Sequence, residues 1–122
     1  MTASDGDLAA MGDGVPHPRN YATFPRKIRR YVYDEAVVSL EGAIRGMTGL
    51  PADVFGLSDR GVIAEGMVAD IVVFDPESLR DVATFVEPHQ LSEGVRWLLV
   101  GGCLAIDDGS ITGTRCGRVL AR

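Results

Sequence analysis

Asp5, in the stretch "SDG" at residues 4–6, is the first carboxylate in the sequence and a candidate for proton transfer. A positioned carboxylate can take a proton from a reacting group and return it. The same residue before Gly6 also suits a turn, because aspartate bonds its own backbone and glycine accepts positive φ. His17 in "HPR" and His89 in "EPHQ" each stand alone beside a proline. Metal sites need converging ligands, so His17 reads as a loop residue bonding backbone and His89 as structural. Cys103 and Cys116 are too few for a disulfide framework and have no His or Cys neighbours at zinc-ligand spacing. Cys103 lies in an apolar stretch and reads as a small buried hydrophobe, with a Cys103–Cys116 bridge left open. The basic cluster "RKIRR" at 26–30 offers a phosphate patch or a solvated helix face. Its place opposite an apolar stripe favours the solvated face.

The elements that must position these residues divide the chain. Residues 4–22, rich in Gly, Asp and Pro, lack a sustained period and read as a long irregular segment, functional or disordered. A helix follows, with Thr23 as N-cap, Pro25 in its first turn and Phe24, Ile28, Tyr31 and Val32 on its apolar face. A second helix runs from the N-cap Ser39 through Met47 to a stop at Gly49, and Pro51 opens a third turn ending at Gly56. From Gly61 the period shortens. Ile71–Phe74 reads as a strand covered on both faces, and 76–96 as loop. Trp97–Val100 and Cys103–Ile106 flank Gly101-Gly102, a two-residue hairpin signal. Asp108-Gly109 marks a further turn, and Gly117–Leu120 is expected to add a short closing strand.

The chain is therefore α+β, helical over 1–60 and β-rich over 61–122, with a boundary near Gly56 to Gly61. At 122 residues it is well short of the roughly 250 that a (β/α)8 barrel needs. A net charge of −5 argues against a nucleic-acid partner, whose usual footprint is a basic domain. No apolar run approaches the roughly 20 residues of a membrane span, and the first residues lack the pattern of a secretory leader. A cytoplasmic location and no membrane partner are the expectations.

Taken together, "SDG", "HPRNYATFPR" at 17–26, "SLEGAIRGMTGLPADVFGLSDRGVIAEGMVADIVVFDP" at 39–76, "ATFVEPHQLSEGV" at 83–95 and "TGTRCGRVL" at 112–120 carry a resemblance. The sequence resembles the C-terminal part of the D-aminoacylase, or N-acyl-D-amino-acid deacylase, family of zinc amidohydrolases. The "RG…EG…ADIVVFD" portion is shared across that superfamily, whereas "SDG", "HPR.Y.TFPR" and "T.LPA" are narrower. The resemblance implies that residues 1–60 are the remnant of a barrel end and that 61–122 belong to a composite β-sandwich.

It further implies that Asp5 ends the eighth barrel strand and acts as general base, taking a proton from a zinc-bound water and passing one to the departing amine. Arg19 matches the family arginine that clamps the substrate's free carboxylate, a task suited to two parallel hydrogen bonds from a planar guanidinium. The family's Cys and His metal ligands have no counterpart here, so zinc belongs to the parent enzyme and no metal ligand is assigned. The "DLAAMGDGVP" linker is longer than the family pattern, leaving the relation of Asp5 to Arg19 open, and Cys116 replaces a more usual proline. An N-acyl-D-amino acid is the implied substrate, with the chain alone expected to be inactive. The alternative is a non-catalytic β-sandwich assembly module, since helices with uncovered apolar faces favour a homo-oligomer.

Overall fold

The computed structural model describes residues 1–8 and 10–120; Ala9, within the 4–22 segment, and Ala121–Arg122, at the end of 61–122, lie outside it. Helices come first and an antiparallel sheet second. Helix α1 (Arg19–Arg26) runs directly into a π-helical turn (Lys27–Asp34), followed by α2 (Leu40–Met47) and α3 (Gly49–Phe55). Strands β1 (Ile71–Phe74), β2 (Val95–Val100), β3 (Cys103–Asp107) and β4 (Ser110–Ile111) pair in that spatial order, every neighbour antiparallel. The secondary structure is thus α+β.

Local chemistry explains most element ends. The Ser39 hydroxyl accepts the Gly42 N–H at 3.1 Å, which satisfies one of the free donors at the start of α2. Gly56, at φ +67°, ends α3 in the left-handed conformation. Gly101 and Gly102 both take positive φ between β2 and β3, as the twist of a two-residue hairpin requires.

Helix α1 departs from the expected start. Thr23 is not its N-cap: it sits inside the helix, its hydroxyl bonded back to the Arg19 carbonyl at 2.8 Å. Pro25 is therefore inside the helix, where its missing N–H leaves the Tyr21 carbonyl without an intrahelical donor. The Ser92 hydroxyl donates to that carbonyl at 2.8 Å, and the helical register widens to π immediately beyond Pro25. Gly49 likewise does not stop α2. Thr48, at φ −128° and ψ −88°, makes the break, and Gly49 opens α3.

The β half differs in three places. β2 starts at Val95 rather than Trp97, and Arg80 and Glu93 form a bridge within the expected loop. Gly117–Leu120 is irregular, because β4 and Thr112 already occupy the outer edge of β3: Thr112 donates its hydroxyl to Leu104 and its N–H to Ala105. The apolar run of β1 is not covered on both faces, since Val72 and Val73 remain 48% and 43% exposed.

The core is small and dominated by alanine. Ala22, Ile28, Ala43, Ala52, Leu79 and Ala83 are the buried apolar side chains among the described residues. An apolar groove of about 310 Å³, lined by Phe24, Ile28, Met47, Val72 and Phe74 among others, separates the helices from β1. Cys103 is exposed rather than buried, because it stands at the turn end of the β2–β3 hairpin.

Candidate functional site

The "SDG" stretch forms a turn seated on the start of α1. Asp5 itself takes φ +52°, and the Ser4 hydroxyl accepts the Gly6 N–H at 3.2 Å. Asn20 then holds the turn, its side-chain oxygen accepting the Asp7 N–H at 3.2 Å. A Cβ on Gly6 would stand 3.1 Å from that oxygen and 3.3 Å from the Asn20 Cα, so glycine lets the turn lie flat on the helix.

Arg19 occupies the first position of α1, where its N–H has no intrahelical acceptor. His17 supplies one: its Nδ1 accepts that N–H at 3.0 Å, while its ring packs edge-on against Phe85 with centroids 4.9 Å apart. The Arg19 backbone is thereby fixed at both ends, its N–H by His17 and its carbonyl by Thr23. Its guanidinium reaches Asp5, with Nη2 3.1 Å from Oδ2. The linker between the two residues thus folds back and brings them into an ion pair.

His89 fastens that linker. Its Nδ1 accepts the Gly12 N–H at 3.1 Å and lies 3.0 Å from the Tyr21 hydroxyl, and its Nε2 lies 3.1 Å from the Gly14 carbonyl. An amide N–H can only donate, so Nδ1 is the acceptor and the ring proton sits on Nε2, donating to Gly14. Sequence spacing gave no sign of this role, because Tyr21 and His89 meet only through the tertiary fold.

The arginines of "RKIRR" each face a carboxylate: Arg26 pairs with Asp81 at 2.7 Å, Arg29 with Asp34 at 2.9 Å and Arg30 with Glu35 at 2.6 Å. Lys27 bonds the Thr2 hydroxyl, and Thr2 donates its N–H to the Gly46 carbonyl at 2.8 Å, so the first residues are tied to α2. Among the described residues, no group of three or more His, Cys, Asp or Glu side chains converges where a metal ion would be held. These residues do not compose a zinc site by themselves. Among the described residues, no helix is long and apolar enough to cross a membrane.

The chain as a whole has relatives among known proteins. The model of the Amidohydrolase family matches residues 1–105. Over all 122 residues the chain is 43% identical to a D-aminoacylase of Alcaligenes xylosoxydans xylosoxydans, covering 25% of that protein. It is also 43% identical, again over its whole length, to an N-acyl-D-glutamate deacylase of the same organism, covering 24% of it. The crystal structure of the N-acyl-D-glutamate deacylase of Bordetella bronchiseptica, complexed with zinc and a phosphonate mimic of the tetrahedral intermediate, superposes with a TM-score of 0.73. That match is 42% identical and covers 80% of this chain and 21% of the other. The chain spans about a quarter of the length of the relatives it matches. The family model and the full-length identity agree, and the chain belongs to the amidohydrolase family.

Proposed function

We propose that this chain is the C-terminal part of a zinc-dependent N-acyl-D-amino-acid deacylase, contributing the proton-transfer carboxylate and the substrate clamp. The observation that carries this reading is the Asp5–Arg19 pair, which sets a proton acceptor beside a carboxylate binder. Asp5 serves as general base, taking a proton from the attacking water and delivering it to the amine nitrogen as the amide bond breaks. Arg19 engages the free carboxylate of the acyl amino acid through the guanidinium donors that Asp5 does not use.

In the same reading, residues 1–60 are the end of a (β/α)8 barrel and residues 61–122 a share of a β-sandwich. The zinc ligands belong to the portion outside this sequence, and the chain alone is inactive. The test is a chimera in which these residues replace the matching stretch of the Alcaligenes D-aminoacylase. The chimera hydrolyses N-acetyl-D-amino acids, Asp5→Asn lowers kcat by roughly 10²–10⁴-fold, and Arg19→Lys mainly raises KM. An active chimera indifferent to both substitutions refutes the assigned roles. Zinc-dependent turnover by the purified chain alone, abolished by Asp5→Asn, refutes its inactivity.

A second reading rests on a different observation, the exposure of Val72 and Phe24 beside an open apolar groove. In it the chain is an assembly module whose apolar face drives self-association. Light scattering separates the two: a homo-oligomer supports the module, and a monomer with no dye-binding surface opposes it.

A further inference from the structure

Cys103 and Cys116 are far apart in sequence terms but share one corner of the sheet. Cys103 stands opposite Val100 across the tight Gly101-Gly102 turn, and partners directly opposite in an antiparallel pair project to the same face. Val100, Gly101 and Cys116 together line a cleft of about 570 Å³ beside Arg60 and Asp70. The carbonyl oxygen of Cys116 lies 3.9 Å from where a Cβ on Gly101 would stand, so the two backbones pass side by side. Asp70 holds the turn from below, accepting the Gly101 N–H at 2.7 Å.

Both thiols are free, and Cys103 is exposed. Cys103 shares its face with Val100, which lines the cleft beside Cys116, and the neighbouring Cys103 thiol, with burial second, pushes the Cys116 thiol above its ordinary range. Cys103, the exposed thiol, is the sulfur that a soluble reagent meets first, and Cys116 is the neighbour placed to resolve the adduct.

We propose that Cys103 and Cys116 form a reversible intramolecular disulfide that staples the segment after β4 to the β2–β3 hairpin. The oxidant is a small soluble disulfide of the glutathione type. The Cys103 thiolate attacks one of its sulfurs, forming a mixed disulfide and expelling one reagent thiol. The Cys116 thiolate then attacks the Cys103 sulfur, closing the protein disulfide and expelling the second. The two protein thiols lose two electrons, the reagent disulfide gains them, and the two protons leave on the two reagent thiols. An excess of reduced thiol reverses both steps.

The whole chain is incubated with oxidised glutathione, alkylated and digested with trypsin without reduction. The expected product is the Trp97–Arg115 peptide joined to Cys116–Arg118, from a chain of monomer mass. Oxidation also raises the thermal midpoint by on the order of 5–10 °C through closure of the loop. Cys103→Ser and Cys116→Ser each lose the midpoint shift and carry one glutathione adduct on the remaining thiol. If either variant fails to fold, the wild-type chain with both thiols alkylated before oxidation replaces it. Separate glutathione adducts on wild-type Cys103 and Cys116, or a disulfide between two chains, overturns the proposal.

Discussion

Arg19 reaches Asp5 through a single nitrogen, Nη2 to Oδ2 at 3.1 Å, and leaves most of its guanidinium donors uncommitted. The Asp5 side chain is 85% exposed, so water competes for the pair and its contribution to folding is small. The pair is therefore better suited to meeting a ligand than to holding the fold. Arg19→Ala in this chain should change unfolding free energy by less than about 0.5 kcal/mol in a urea titration. A loss several times larger would recast Arg19 as structural.

The linker between those two residues depends on a histidine remote in sequence. His89 receives the Gly12 N–H and contacts Gly14 and Tyr21, and each bond fixes a loop that has few others. His89→Ala should raise the hydrogen-exchange rate of the Gly12 amide by about tenfold or more while leaving the β2–β3 amides protected. Tyr21→Phe, which removes one partner of Nδ1, should do so less. Equal exchange in wild type and His89→Ala would show that the loop is held by something else.

These two cases mark what could be read in the sequence. Ser39 and the Gly101-Gly102 hairpin were legible because the donor, the acceptor and the required φ all lie within a few residues. The start of α1 was not, because Pro25 sits inside the helix and the group that bonds the freed Tyr21 carbonyl, Ser92, is remote in sequence. Gly117–Leu120 stays out of the sheet for a related reason: its β propensity is adequate, but Thr112 already takes the Leu104 and Ala105 carbonyls. Asp5 and Arg19 stood out as residues, yet their contact depends on the fold-back of a linker pinned from across the molecule by His89. The α+β division survived because it depends on local periodicity, which tertiary contacts trim at the ends without reversing.

Asp75 makes stability depend on acid. The Ser78 hydroxyl at 2.7 Å and then the Glu77 N–H at 3.0 Å bond its carboxylate and hold its pKa below the ordinary value of 3.8. A carboxyl with a lowered folded pKa stabilises the native state above the unfolded value and loses that contribution as pH falls through the folded one. Thermal midpoints should therefore be flat with respect to this group down to about pH 4 and fall below it. Asp75→Asn should reduce the slope of that fall, measured by circular dichroism from about pH 6 to about pH 2. An unchanged slope would remove Asp75 from the acid response.

Gly94 is the position where one methyl group should do the most damage. It has φ +90°, and a Cβ there would stand 2.4 Å from both the Cα and the N of Leu79 and 2.7 Å from the Ser78 carbonyl carbon. Those are backbone atoms, and Leu79 is only 2% exposed, so neither side can yield cheaply. The Gly94 carbonyl also accepts the Asp75 N–H at 2.9 Å, which ties the same approach to the end of β1. Gly66 provides the control: it has φ +83° but open space where its Cβ would go. Gly66→Ala should cost about 1 kcal/mol, the conformational penalty alone, whereas Gly94→Ala should exceed about 2 kcal/mol because the chain must also separate. Urea unfolding of the two variants reads the difference directly, and equal losses would mean that Gly94 does not pack against Leu79 as the structure places it.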